Sequence, residues 1–506
     1  MKGFCFIIIF LFLNTNAQVR DTTFGFNGNV RTSIGTSNEI ASHVLIQSDG
    51  KILVAGDQTD HPIFGPQRFA IVRYLSNGTL DSSFGTNGKA TFLFESQSFL
   101  NDMSLQSDGK ILLAGQSSSG YCVARVSTDG TLDTSFGTNG YTVLAPTFGS
   151  AAINSVVVYV DDSFLVSGTE QIQNSTNYSL KLIKFNANGL VDTSFGNQGI
   201  LVPDLDFESN LGGKILIQSD GKIIIGGASK ISENNALIEK TYFSRLNVNG
   251  SIDSFFGTNG VLFLEDNFSL KDFIIDNNNE IIFIGNTNTN AQGTNGNVYI
   301  SKYNNLGLLD SSFGTNGRTI VSVNSFAEYA NTITKQSDGK FLLGGSYFNT
   351  LSTTDSLIVR FLQNGQIDNT FGTNGVFQVT VTSGTDIITD MIMTPNNQIV
   401  TTGYANYSTN FDFSTLRINI DITLDSNIEE KIFCNVYPNP VVDVFHIVSQ
   451  ELIDGVELYD LNGKLLLKKD HNDFECVFSI ADFPKGVYLI KITSKKGVHT
   501  EKIIKE

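Results

Sequence analysis

One string constrains this chain more than any other feature: Phe-Gly followed by Thr-Asn-Gly or a near variant. It recurs at Phe24, Phe84, Phe136, Phe195, Phe256, Phe313 and Phe371, spaced 60, 52, 59, 61, 57 and 58 residues apart. A second landmark, of the form QSDGKILVAG, ends at Gly56, Gly115, Gly168, Gly227, Gly285, Gly345 and Gly403. A third is tighter still. A basic residue stands eight positions before an Asp in Arg73/Asp81, Arg125/Asp133, Lys184/Asp192, Arg245/Asp253, Lys302/Asp310, Arg360/Asp368 and Arg417/Asp425. A period of this size implies stacked units that bury their apolar faces against one another.

Each unit reads as four short strands, in the first unit residues 27–31, 40–47, 51–55 and 69–75. Asp49-Gly50 between the second and third is a strong hairpin signal. Where Gly is lost from that turn, its place is taken by Asp162, Asn279 or Asn397, side chains that tolerate positive φ. Four strands in about 58 residues is the pattern of a β-propeller blade. The fold class is therefore all-β: a seven-bladed β-propeller over residues 18–425. The N-terminal copy around Phe24 has no unit before it, and the seventh unit has no Phe-Gly after it. The first is thus expected to fill the junction between blades seven and one, closing the ring and removing its free edges.

Met1-Lys2, the apolar run from Phe4 to Leu13 and the small residues before Ala17 read as a signal peptide, residues 1–17. The run is too short to span a bilayer, and no later segment is long and apolar enough to do so. The chain carries 33 basic and 50 acidic residues, a net charge of −17. That acidity argues against nucleic acid as a partner. Five His, four Cys and no recognisable ligand spacing leave no expected cofactor or transition metal. Asp276, Asn278 and Glu280 alternate as oxygen ligands would, but they occupy a hairpin turn and lack the glycine and distal Glu of an EF-hand loop.

Beyond a short linker at 426–433 the repeat stops. Residues 434–506 read as a small β-sandwich, with strands at 444–448, 455–460, 464–468, 475–480 and 487–493. This tail carries Tyr437-Pro438-Asn439-Pro440, then Leu458-Tyr459-Asp460-Leu461-Asn462-Gly463-Lys464, then Phe483-Pro484-Lys485-Gly486-Val487-Tyr488, and closes on Lys502-Ile503-Ile504-Lys505. In that order the strings resemble the type A C-terminal sorting domain of the type IX secretion system of Bacteroidetes-type bacteria. The resemblance implies recognition by the type IX machinery and delivery to the cell surface or the medium. The body resembles the delta-60 repeat, a resemblance that brings no common activity. Cys434 and Cys476 share the tail, and their number and spacing leave a disulfide between them open.

The recurring basic/Asp pair and the Phe after it read as structural. A group needed once for a ligand has no reason to recur seven times, whereas a blade junction does. No nucleophile motif is visible, so the reading is non-enzymatic binding of a glycan, matrix or protein partner. The alternatives are a secreted polysaccharide-acting or other hydrolytic enzyme using channel carboxylates, and a structural adhesin component. Connections between third and fourth strands vary most: residues 57–68, 169–178, 228–242, 286–297 and 346–356. Aromatics there, Phe64, Tyr178, Tyr242, Tyr347 and Phe348, are the candidate ligand-binding residues on one variable face.

Overall fold

Asp-Gly turns set the blade. In the first, Gly50 at φ 81° lets its N–H donate to Gln47 O at 2.9 Å, while Gln47 N donates to Lys51 O at 2.8 Å. Asp162, Asn279 and Asn397 hold the same turn at φ 63°, 59° and 59°. The computed structural model describes residues 16–60, 65–233, 236–265, 268–287, 296–323, 326–349, 353–406, 410–423, 434–460, 464–494 and 497–506. The chain divides into two units, Asn16–Ile422 and one containing Thr423–Glu506.

The larger unit is a ring of seven antiparallel sheets. Blade 1 is Glu39–Ile46, Ile52–Thr59, Gln67–Tyr74 and Lys89–Phe92, paired in that order. Blades 2 to 6 repeat it, starting at Ser98, Ala151, Ser209, Phe268 and Glu328. The first strand of each blade packs beside its counterparts around a central channel. Blade 7 has Asp386–Met393, Gln398–Asn406 and Phe411–Thr423 from the end of the repeat, and its outer strand is Asn29–Thr32 from the N-terminal side. The strand at 27–31 thus completes the preceding blade rather than opening its own. Asn16–Arg20 also pairs with Phe411–Thr423 and runs across the expected cleavage point at Ala17. The rest of the signal segment, residues 1–15, lies outside the described residues.

Every inner strand carries one β-bulge, for example between Ala41 and His43 and between Ile388 and Asp390. The extra residue re-aims the strand and pushes a carbonyl towards its neighbour. This explains the second landmark. A Cβ on Gly56 would sit 1.9 Å from Ile40 O, and one on Gly403 1.8 Å from Ile387 O. The strands therefore run on past that glycine, to Thr59 in blade 1 and Glu233 in blade 4.

Ion pairs hold the blade junctions. Arg73 Nε meets Asp81 Oδ2 at 2.9 Å, Arg125 meets Asp133 at 2.8 Å, Arg245 meets Asp253 at 2.8 Å, and Arg360 meets Asp368 at 2.9 Å. Lys184 and Lys302 reach Asp192 and Asp310 at 3.3 Å. The second oxygen of Asp81 accepts Ser83 N at 3.1 Å and its hydroxyl at 2.6 Å. Burial would raise the Asp81 carboxyl, but these bonds with Arg73 and Lys51 hold it at about 2. The Arg73 guanidinium lies 4.6 Å over the Phe84 ring and donates to Thr128 O of the next unit. Phe24, Phe84, Phe136, Phe195, Phe256, Phe313 and Phe371 are all buried. In the seventh blade the partner differs from the expected one. Arg417 pairs with Asp21 at 2.8 Å and covers Phe24 at 4.8 Å, so the N-terminal copy supplies the last junction. Asp425 lies outside the described residues.

In the smaller unit, strands Cys434–Tyr437, Val444–Tyr459, Leu465–Ser479, Gly486–Ser494 and Gly497–Lys505 enclose a core of Phe445, Ile447, Leu458, Phe478, Ile490 and Ile503. Four of the five expected segments merge in pairs. Register shifts around Ile453 and Gly455 bend a single long strand so that its halves serve different partners. Asn439 accepts Ile504 N at 2.9 Å and donates to Lys502 O at 2.6 Å, tying the Tyr-Pro-Asn-Pro string to the last strand. Tyr488 Oη donates to Pro484 O at 2.6 Å. Lys464 N donates to Asp460 Oδ1 at 2.9 Å, and Gly463 lies outside the described residues. Cys434 and Cys476 are free thiols. The strand Val444–Tyr459 lies between theirs, and two strand spacings of about 4.8 Å exceed the reach of a disulfide.

Candidate functional site

Bulges in the inner strands aim one polar side chain per blade into the channel. The ring they line is His43, Asp102, Ser155, Lys214, Asp272, Thr332 and Asp390, and it bounds a cavity of about 310 Å³. Three carboxylates face the channel, but each is already engaged. Asp102 accepts Met103 N at 2.8 Å and, in the next blade, Val156 N at 2.7 Å. Asp272 accepts Phe273 N at 2.8 Å and Ile333 N at 2.9 Å. Asp390 accepts Met391 N at 2.8 Å and Val44 N at 2.9 Å, with the Thr332 hydroxyl at 3.0 Å. The same clasp in three blades marks it as a joint between neighbouring inner strands.

Charges in the ring offset one another. Lys214 Nζ meets Asp272 Oδ1 at 2.6 Å. Burial opposes the ammonium, but Asp272 beside it, with Asp102 and Asp390 farther round, holds its pKa above the ordinary value. Burial raises the Asp390 carboxyl against the pull of His43 and Val44 N–H, and Asp272 pushes it the same way. His43 Nε2 bonds Asn101 O at 2.8 Å, and its Nδ1 stands 3.8 Å from Asp102 Oδ1.

Above this ring the channel opens into a larger cleft of about 570 Å³, which shares Ser42, His43, Lys271, Asn331 and Thr389 with it. The cleft spans blades 6 and 7 at the end where second and third strands connect, the variable face. Its walls are Tyr329, Phe348 and Tyr404. Tyr329 is 37% exposed and meets Phe348 edge to face at 6.0 Å. Tyr404 packs edge to face on Phe411 at 5.2 Å.

Of the aromatics expected on this face, Phe348 lines the cleft. Tyr178 lines a separate groove of about 470 Å³ between blades 3 and 4. Tyr242 and Tyr347 are buried and do not face solvent. Tyr347 follows the bulge-facing Gly345 in its strand and Tyr242 pairs opposite the bulge-facing Gly227, so positions expected in loops are ladder positions. Tyr242 Oη donates to Asn210 Oδ1 at 2.9 Å, and burial drives its phenol pKa upward. Burial beside Asp355 raises Tyr347 to about 12. Phe64 and His61 lie outside the described residues. Asp276 Oδ1 accepts Asn278 N and Glu280 N at 2.9 and 3.0 Å, and Glu280 pairs with Lys302 at 2.7 Å. These acids serve the turn and its strand. Among the described residues no three His, Cys, Asp or Glu gather in a group able to hold a metal.

A ring of repeated sheets with one lined channel is a β-propeller. Residues 435–506 match a family described as "Secretion system C-terminal sorting domain". Residues 47–84, 106–136, 161–195, 218–256 and 336–371 match one described as "Domain of unknown function (DUF5122) beta-propeller". The chain is thus a β-propeller of these delta-60-like repeats with a type IX sorting domain at its C-terminal end, a tail that marks it for the cell surface or the extracellular space. No curated protein matches the sequence.

Similar solved structures include PorZ, a bacterial surface component of the type IX secretion system of Porphyromonas gingivalis. It is 12% identical with a TM-score of 0.37, covering 92% of this chain and 59% of that one, so the present chain spans under two thirds of its length. A Lactobacillus plantarum protein is 13% identical with a TM-score of 0.42, covering 85% of this chain and 99% of that one. YCF48 bound to D1 peptide is 10% identical with a TM-score of 0.42, covering 78% and 96%. Among the described residues, no helix is long and apolar enough to cross a membrane.

Proposed function

We propose that the protein is an exported, non-enzymatic binding protein that takes a surface glycan, matrix component or protein partner at the variable-face mouth of its propeller. The domain limits that go with this reading are a signal peptide over 1–17, a ring over 18–425, a linker at 426–433 and a sorting module over 434–506. The observation that carries it is the cleft of about 570 Å³ walled by Tyr329, Phe348 and Tyr404. Its size suits a small ligand or the end of a longer one, and one exposed and two half-buried rings among hydroxyls and amides suit both sugars and peptide side chains.

The carboxylates support binding over hydrolysis. Glycoside cleavage needs one acid free to donate a proton and another free to attack or activate water. Asp102, Asp272 and Asp390 each spend both oxygens on main-chain N–H groups of two blades. The test is binding of glycans and surface extracts to the full chain and to Phe348→Ala and Tyr404→Ala. Loss of binding with the fold retained supports the reading; undiminished binding in both variants refutes this location. Removing 434–506 should retain the ring in the periplasm, and unchanged surface delivery would refute the sorting role.

A further inference from the structure

The seven glycines that face the bulges align the blades residue by residue, and the alignment shows where the ring breaks its own symmetry. The residue after each glycine is Asp57, Gln116, Thr169, Ala228, Asn286, Ser346 and Tyr404. In blades 1 and 5 this position ties the next blade in place. Asp57 accepts Leu100 N at 2.9 Å, while Asn286 donates to Glu328 O at 2.7 Å and accepts Ala330 N at 3.3 Å. Blade 7 carries an aromatic ring at this position. Three residues after the glycine stand Thr59, Ser118, Gln171, Lys230, Phe348 and Asn406 in the six blades where the position is described. The single aromatic of each set lies in the same cleft.

Lys271 is the second anomaly. At the corresponding bulge the other inner strands carry Ser42, Asn101, Asn154, Asn331 and Thr389, and blade 4 carries Leu211 and Gly212. Lys271 is exposed and lines both the channel and the cleft above it. Its neighbour Asp272 is already held by Lys214 and two main-chain N–H groups. Among the described residues no carboxylate stands within ion-pair distance of the Lys271 ammonium. An exposed ammonium with no direct ion pair, at the waist of a cleft, is free to meet an acid group of a ligand.

We infer that the cleft takes an anionic saccharide, a pyranose bearing a carboxylate or sulfate. Its ring faces lie on Tyr404, Phe348 and Tyr329, and its acid group meets Lys271. Asn331 and Thr389 donate to main-chain carbonyls of the ring and turn their side-chain oxygens to the cleft as acceptors for a sugar's hydroxyls. A carboxylate or sulfate on an ammonium forms the stronger, charge-assisted kind of hydrogen bond. This rests on the binding function proposed above and adds the ligand's charge to it.

The test uses the full chain and its Lys271→Gln and Phe348→Ala variants, with calorimetric titration of uronate-containing, sulfated and neutral oligosaccharides of equal length. Anionic ligands should bind in preference to neutral ones, and Lys271→Gln should weaken them roughly tenfold or more with an unchanged melting temperature. Comparing the uronate and sulfate arms identifies the acid group. Equal binding of neutral and anionic ligands, or no effect of Lys271→Gln, overturns the inference. If Phe348→Ala still abolishes binding in that case, the binding function stands. If no saccharide of any charge binds, the inference falls, and the location at the cleft is then judged by the surface-extract arm alone.

Discussion

Removing the Asp21 carboxylate should open the ring at one place. Asp21 Oδ2 is 2.8 Å from Arg417 Nε, and both side chains are largely buried, 8% and 12% exposed. The same carboxylate accepts Thr23 N at 3.0 Å and Gln398 Nε2 at 2.8 Å, and Arg417 reaches on to Ser76 O and to Thr23 Oγ1. Asp21→Ala therefore leaves a buried guanidinium without its counter-charge. Breaking one side of such a pair costs about 3–5 kcal/mol, and the lost turn bonds add roughly 1 kcal/mol. For a ring of this size, unfolding entropy scales to roughly 1 °C per kcal/mol, so melting should fall by about 4–6 °C. Asp133→Ala breaks the equivalent pair inside the ring and should cost as much. The distinction is local. Asp21 belongs to the segment that carries the outer strand of blade 7, Asn29–Thr32, so its loss should speed amide exchange there and along Phe413–Leu416 opposite. Asp133→Ala should leave those amides protected. Equal exchange at 29–32 in the two variants would refute the claim that this pair latches the closure. A second check is the double variant Asp21→Leu/Arg417→Met, which should recover much of the loss because apolar replacements remove both buried charges.

The carboxyls set opposite arms to the stability profile. Asp81, held at about 2, and the likewise lowered Asp21 and Asp253 contribute above about pH 4, and that contribution is lost as pH falls through their folded values. Glu39 and Asp57, raised by burial to about 7, contribute below their ordinary values of 4.5 and 3.8 and lose it as pH rises through about 7. Melting against pH should therefore peak on the acid side of neutrality, and Glu39→Gln should flatten the alkaline arm; an unchanged arm refutes the assignment. Gly56→Ala should cost about 3 kcal/mol, because its Cβ meets a ladder carbonyl, whereas Gly50→Asn should be nearly neutral, since no atom lies within 4 Å of its Cβ and Asn279 already holds that turn. Denaturant midpoints compare the two, and equal losses would refute the distinction. Cys434 and Cys476 should both take up alkylating reagent after unfolding without reductant, as mass spectrometry would show; a protected pair would contradict the strand order of the tail.

Features repeated seven times were legible because repetition averages away local noise. The eight-residue spacing of Arg73 and Asp81 gave the junction pair directly, since the main chain bends back so that Asp81 N donates to Arg73 O at 2.9 Å. The turn residues Asp162, Asn279 and Asn397 announced positive φ by their chemistry. What the sequence did not show depends on register. A bulge shifts the inner strand by one residue, so side chains beyond it exchange channel and core, and no alternation pattern marks the change. Tyr242 and Tyr347 differ from expectation for a separate reason: their strands extend where the sequence suggests loops. The Arg417 partner was missed because its own unit offers Asp425 at the right spacing, while the ring brings Asp21 to it from the far end of the chain. The channel ring had a visible trace in the paired polar residues Asn101-Asp102, Asn331-Thr332 and Thr389-Asp390. Two polar residues in succession within an alternating strand are what a bulge produces.

Symmetry then sorts the molecule into two kinds of residue. Arg73, Asp81 and Phe84 have counterparts at every junction, so altering one of them perturbs stability at that joint and says nothing of a ligand. Channel carboxylates recur in three blades and hold neighbouring strands together, which places them with the joints despite their position. Tyr404, Phe348 and Lys271 have no counterparts, contribute no repeated bond and converge on one cleft. Tyr404 stands where Asp57 and Asn286 tie blade to blade, and blade 7 presents a ring there instead. Placing the amide of blade 5 here tests that assignment: Tyr404→Asn can make to Glu39 O and Ala41 N of blade 1 the bonds that Asn286 makes to Glu328 O and Ala330 N, offsetting the lost packing on Phe411, so stability should stay within about 1 kcal/mol while ligand binding is lost. A Tyr404→Asn variant that is both less stable and equally able to bind would show that the ring at this position serves packing alone.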